Sequence, residues 1–247
     1  MVKDGSVHRI WYDSPEIWSK EQGSRTRKEC TFLHKVFQKY KVKTVLDVGC
    51  GAGNHCAALS QKGYKTQGID ANKELIKFAN KSYPKIPFRV GDQRKYRATH
   101  KFDAVITLCT VLSYATTNEE LFKTLKNHYK SLKKKGILII DTFNPIIFID
   151  KVEYLRERTQ KQNEFGYVTQ RKYSVDENQQ LSIDEATFIN TKGNVASKDI
   201  SVKRMTFPQE MRFFLEQAGF NVLEFYGDFS LRHKKLDGHR MIVVAQK

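Results

Sequence analysis

From Thr44 to Gly53 the chain reads Thr-Val-Leu-Asp-Val-Gly-Cys-Gly-Ala-Gly, and few folds accept that order of residues. An apolar run makes a buried strand, a carboxylate stands inside it, and three glycines follow at alternate positions. Without Cβ atoms, Gly49, Gly51 and Gly53 let a flat ligand lie against the backbone. In an open α/β sheet, such a turn joins the carboxyl end of the first strand to a helix and leaves a crevice for a cofactor.

The flanking sequence agrees with that fold. Strands are expected at Thr44–Val48, Lys65–Asp70, Pro87–Val90, Ala104–Leu108 and Gly136–Asp141. Helices are expected over Asn54–Gln61, Asn72–Tyr83 and Asn118–Leu132, preceded by one over Thr26–Tyr40. The latter places Phe32, Leu33, Val36, Phe37 and Tyr40 on one face at helical spacing. Short strand–helix–strand units of this kind are the right-handed crossovers of a parallel sheet. The fold class is therefore α/β, doubly wound and Rossmann-like, with a mostly parallel seven-stranded sheet.

After Asp150 the pattern changes to alternation, as in Gln180-Leu181-Ser182-Ile183. Turn signals stand at Asp176-Glu177-Asn178 and Lys192-Gly193-Asn194, which suggests antiparallel strands. Phe207-Pro208 then opens a helix that closes at Gly219, and strands at Asn221–Tyr226 and His239–Ala245 complete the chain. Residues 146–206 are thus expected as an antiparallel insertion after the fifth strand, within one domain spanning 1–247. The aromatic, proline-broken segment at 1–25 has the character of a lid.

Composition narrows the class further. With 40% apolar and 12% aromatic residues among 247, the chain suits a globular protein and not a disordered one. No apolar run approaches the ~18 residues of a membrane span, and the first residues lack a secretory core. Cys30, Cys50, Cys56 and Cys109 show neither Cys-x-x-Cys spacing nor a paired framework, so neither a metal site nor disulfides are expected. A cytoplasmic location is the simplest account. The formal charge of +16 admits an anionic partner, or simply lysine-covered helices; Lys133-Lys134-Lys135 before Gly136 is expected at a helix end, where cations are favoured.

Two cofactor classes use a glycine turn. The dinucleotide pattern Gly-x-Gly-x-x-Gly, counted from Gly49, would put its third glycine at position 54, which is Asn54. Asp47 would also repel a pyrophosphate. S-adenosylmethionine has no phosphate and carries a sulfonium and an ammonium, so an acid at 47 is an asset. Gly68-Ile69-Asp70 ends the second strand, 21 residues after Gly49, where a carboxylate can accept both ribose hydroxyls. Gly91-Asp92 follows the third strand with an acid able to take the adenine amino group.

The blocks 45–53, Gly68-Ile69-Asp70, Phe102-Asp103-Ala104-Val105, 136–141 and Tyr226-Gly227-Asp228-Phe229 resemble the class I S-adenosylmethionine-dependent methyltransferases. Within that class the chain is similar to the small-molecule branch of glycine N-methyltransferase and the amino-sugar N,N-dimethyltransferases, with Ser24-Arg25-Thr26 matching the former. The resemblance implies Arg25 on the methionine carboxylate and Gly49, Gly51 and Gly53 along the cofactor backbone. It implies Asp70 on the ribose, Asp92 and Gln93 at the adenine, and Leu108 and Cys109 under the adenosine. It also sets Thr110 and Phe143 where glycine N-methyltransferase holds its substrate with an Asn and an Arg, so glycine is not expected as the acceptor. Tyr114 stands where related sugar methyltransferases carry a His near the amine.

Methyl transfer from a sulfonium is an in-line displacement that needs alignment, exclusion of water and removal of one proton. No nucleophile–base triad is therefore required. Tyr114 and Tyr12 are the candidate catalytic phenols, and Trp18, Thr110, Phe143 and Asn144 the candidate acceptor-side residues. The expected function is methylation of a small-molecule amine or hydroxyl, with a homodimer an open arrangement. A nucleic-acid methyltransferase is the first alternative, supported by charge. Against it stand a missing Asn/Asp-Pro-Pro-aromatic clamp after the fourth strand, a missing Pro-Cys nucleophile and the absence of an RNA-binding module. A non-catalytic cofactor-binding protein on the same fold is the second, since fold does not entail function.

Overall fold

The computed structural model describes residues 15–98, 100–149, 157–160 and 167–247. Seven strands form the main sheet: β1 Thr44–Val48, β2 Lys65–Asp70, β3 Phe88–Val90, β4 Phe102–Thr107, β5 Leu132–Phe143, β10 Asn221–Tyr226 and β11 Arg240–Gln246. Their spatial order is β10-β11-β5-β4-β1-β2-β3. Strands β1 to β5 run parallel to one another, whereas β11 is antiparallel to both β5 and β10. The strand order reverses between β1 and β4, so the crevice lies at their carboxyl ends. A second, four-stranded antiparallel sheet contains β6 Glu157–Gln160, β7 Val168–Asp176, β8 Leu181–Ile189 and β9 Val195–Arg204 in that order.

Helices cover both faces of the main sheet, and the alternation of strand side chains decides which core each face builds. Val45, Ala104, Ile106, Ile137 and Ile139 pack under Phe32, Leu33, Val36 and Phe37 of α2 (Gly23–Lys39) and Leu59 of α3 (Asn54–Gln61). The opposite face joins Leu46, Val105, Leu138 and Ile140 to Leu121 and Leu125 of α5 (Asn118–Ser131) and Met211 and Leu215 of α6 (Pro208–Ala218). Helix α1 spans Pro15–Glu21, and α4 spans Lys73–Ser82 with the Asn72 side chain accepting from the Glu74 and Leu75 amides. No helix among the described residues is long and apolar enough to cross a membrane.

One expectation needs correction. Lys133, Lys134 and Lys135 do not end a helix: α5 stops at Ser131, and β5 begins at Leu132, which pairs with Phe102. Lys133 meets Asp103 at 2.8 Å instead of a helix carbonyl. The fully buried Leu132 draws the chain into the sheet four residues before Gly136, because its apolar side chain gains more in the core than at a frayed helix end.

Candidate active site

The glycine turn has the left-handed backbone its composition predicts. Gly49 and Gly53 hold φ of 79° and 85°. A Cβ on Gly49 would stand 2.4 Å from the Val111 side chain, and one on Gly53 would stand 2.7 Å from Phe88. The turn is pinned to β2 by the Gly49 and Cys50 amides, which donate to the Ile69 carbonyl at 2.8 and 2.9 Å. Asp70 at the end of β2 accepts from the Gly51 amide at 2.9 Å and the Asn72 amide at 2.8 Å. The Ala71 amide bears on it too, so three backbone donors orient this carboxylate at the end of β2.

Asp47 lies inside β1, behind the turn, with only 1% of its surface exposed. Burial pushes its carboxyl up to about 6, against the pull of His55 and a 3.7 Å contact from the Cys56 thiol. A cation arriving at the turn would restore the charge that burial suppresses.

Beside the turn is a charged cluster of which the Ser24-Arg25-Thr26 motif announces only Arg25. Arg25 on α2 reaches Glu29 at 2.5 Å, one helical turn on, and Asp141 on β5 at 3.5 Å. Glu29 accepts from His55 at 2.6 Å, and Asp141 accepts from the Cys109 amide at 2.8 Å and from Arg240 on β11. Burial opposes ionisation of Glu29, yet hydrogen bonding and attraction from His55 and Arg25 hold its carboxyl below the usual range. Burial raises Asp141 against the pull of Arg240 and Arg25, and raises the Cys109 thiol to about 12. Glu29, Cys109 and Asp141 present ligand atoms close enough for a metal, but two guanidiniums already neutralise their charge. Only the Arg25–Glu29 spacing is visible in sequence. Arg240 meets Asp141 diagonally across the β5–β11 ladder, 99 residues apart.

Beyond β3, Arg94 grips Asp92 with its Nε and Nη2, and also reaches Glu120 at 2.9 Å. Burial opposes ionisation of Asp92, yet the hydrogen bonds and charge of Arg94, with the attraction of Lys95, together hold its carboxyl below the ordinary range. Gln93 donates to the Val111 carbonyl at 2.7 Å, while its buried Oε1 has no hydrogen-bond partner among the described residues. That orphaned acceptor fits an exocyclic amine.

After β4, Leu108 is buried and Cys109 and Thr110 take left-handed φ of 57° and 65°. They lead into a 3-10 turn, Val111–Tyr114, that packs against β9. Tyr114 meets Ser201 at 3.5 Å with Lys203 over its ring. Phe143 stacks at an angle on Phe148, which in turn meets Tyr173 of β7. Asn144 has a different task from the one expected: it donates to the Leu236 and Gly238 carbonyls and accepts from the Ile146 amide, tying the end of β5 to the approach of β11. With those bonds and 1% exposure, its amide is committed to the loops. Tyr12 and the Trp18 side chain lie outside the described residues. A separate cavity of about 370 Å³ opens at the opposite, amino ends of β1, β2 and β4, among Thr44, Lys65 and Phe102.

Residues 45–136 match the family model described as a methyltransferase domain. A Bacillus subtilis protein, YqeM, whose name carries a provisional methyltransferase assignment, is 28% identical over 212 residues, 82% of this chain and 83% of that protein. The glycine/sarcosine N-methyltransferase of Aphanothece halophytica is 26% identical over 234 residues, 91% of this chain and 83% of that enzyme. Among solved structures, S-adenosylmethionine-bound CalS10, an amino pentose methyltransferase from Micromonospora echinaspora, superimposes with a TM-score of 0.72 at 19% identity, over 92% of this chain and 95% of that one. The glycine cradle and the orphaned Gln93 acceptor suit the same cofactor. Residues 45–136 thus form a methyltransferase domain with S-adenosylmethionine as its cofactor, in a chain that shares the fold of CalS10 over most of its length.

Proposed function

We propose that the protein methylates an amine or hydroxyl of a small molecule, as one catalytic domain whose 146–206 insertion covers the acceptor side. The observation that supports this reading is the contact of Tyr114 with Ser201, which joins β9 of the insertion to the turn beyond β4. The relative named for glycine and sarcosine and the neighbour named for an amino pentose support an amine. S-adenosylmethionine supplies a methyl group on a sulfonium; the acceptor lone pair forms the new bond as the carbon–sulfur bond breaks, and the methylated acceptor sheds one proton.

In this reading Arg25 faces the methionine carboxylate, Gly49, Gly51 and Gly53 line the cofactor, and Asp47 offsets its cationic end. Asp70 takes the ribose, Asp92 and Gln93 flank the adenine, and Leu108 and Cys109 lie beneath the adenosine. Tyr114 and Tyr12 orient the acceptor or relay its proton, with Trp18, Thr110 and Phe143 walling the space. The four free cysteines suit a reducing, cytoplasmic setting.

The test pairs calorimetry with S-adenosylhomocysteine against transfer of labelled methyl groups to small amines, small alcohols, bulk tRNA and DNA. Binding of S-adenosylhomocysteine and label in the small molecules alone are expected. Salt-sensitive incorporation into nucleic acid would replace this reading with the alternative suggested by the charge.

A further inference from the structure

The four-stranded sheet buries the face that ought to be the costly one. Cross-strand register places Arg171 and Tyr173 of β7, Ser182, Asp184, Ala186 and Phe188 of β8, and Ser197, Asp199, Ser201 and Lys203 of β9 on one side. Asp199 is 2% exposed and Ser201 1%, whereas Lys172, Glu185 and Lys198 on the other side are exposed. A half-buried antiparallel sheet ordinarily turns apolar residues inward. Here the inward face carries two carboxylates.

Those carboxylates are incompletely satisfied. Ser197 donates to Asp199 Oδ1 at 2.9 Å, but the buried Oδ2 has no hydrogen-bond partner among the described residues. Asp184 binds Arg171 through Oδ2, while its buried Oδ1 and the Arg171 Nε are likewise unpartnered among them. A buried acceptor left unpaired costs about 1–3 kcal/mol, more for a charged group, so such atoms mark where a donor belongs. The face also leads to the reaction site. Ser201 touches Tyr114 of the turn beyond β4, and Asp199 lies two residues along the same strand, about 7 Å away at strand rise.

We propose that this inward face is the acceptor subsite, and that Asp199 binds an amino group of the acceptor. Asp184 and Arg171 serve neighbouring hydroxyls, so the acceptor is a small polar amine bearing hydroxyl groups. The inference rests on the small-molecule reading above and selects within it an amine over an alcohol. Asp199 is a binding residue; the proton released on transfer goes to solvent.

The test offers labelled S-adenosylmethionine with ethanolamine, glucosamine and two dTDP-linked amino sugars, each beside its hydroxyl counterpart, to the wild type and to Asp199→Asn and Asp184→Asn. Label is expected on amines, with Asp199→Asn raising KM about 10–100-fold, the loss of one charge-assisted bond, while kcat changes little. Asp184→Asn should raise KM less, and least for ethanolamine, which carries a single hydroxyl. S-adenosylhomocysteine affinity, measured on the same variants, should match the wild type. Label confined to the hydroxyl counterparts, no label on any amine, or an unmoved KM in folded Asp199→Asn would overturn the subsite. Loss of S-adenosylhomocysteine binding in the wild type would instead remove the underlying reading.

Discussion

Asp47 shows how one side chain serves a site by being held in an uncomfortable state. Its carboxyl is raised by burial to about 6, so the folded protein binds a proton more tightly than the unfolded chain does. Stability therefore falls as pH rises from about 4 to about 6, and the cost of the buried charge persists above that range. Asp47→Asn should make the ligand-free protein more stable at pH 8 by roughly 1–3 kcal/mol, read as a higher Tm. The same variant should bind S-adenosylhomocysteine more weakly. Calorimetry near pH 6 in buffers of different ionisation enthalpy should find proton release on binding in the wild type and none in the variant. Sequence pointed to Asp47 and Asp70 because their spacing from the glycines is local. It gave no sign that Asp141 meets Arg240, a pairing that depends on how β5 and β11 align.

Element boundaries were legible where a turn residue or a buried apolar run marks them, as at Asn54–Gln61 and Lys65–Asp70. They were missed where tertiary pairing prevailed, as at Lys133–Lys135, which a helix-end rule would place in α5. That helix also carries a group with a measurable signature. His128 is buried on α5, and burial lowers its pKa to about 4. The folded protein thus binds fewer protons than the unfolded chain between about pH 4 and 6.5, and stability is lost as pH falls through that window. His128→Leu should remove much of this acid sensitivity, worth about 3 kcal/mol at most, flattening Tm between pH 6.5 and 4.5 relative to the wild type. A parallel decline in both proteins would assign the acid response to other groups.

At the scale of the whole molecule, a charge of +16 acts on stability before it acts on any partner. Many of its lysines stand on solvated faces, and like charges there repel. Raising the salt from about 0.01 M to about 0.15 M shortens the screening length from about 30 Å to about 8 Å, and Tm should rise by about 2–4 °C. A fall in Tm would mean that attractive pairs such as Arg94 with Asp92 and Glu120 dominate instead. By itself the sequence determined the α/β order, the glycine turn and the acids suited to a sulfonium cofactor, because strand periodicity and turn chemistry are written in neighbouring residues. Tertiary structure alone decided which charges gather at Asp141, that Asn144 ties loops, and that the second sheet turns Asp199 inward. Each of these rests on register between segments far apart in the chain, and a one-residue slip would send every side chain of that strand to the other face.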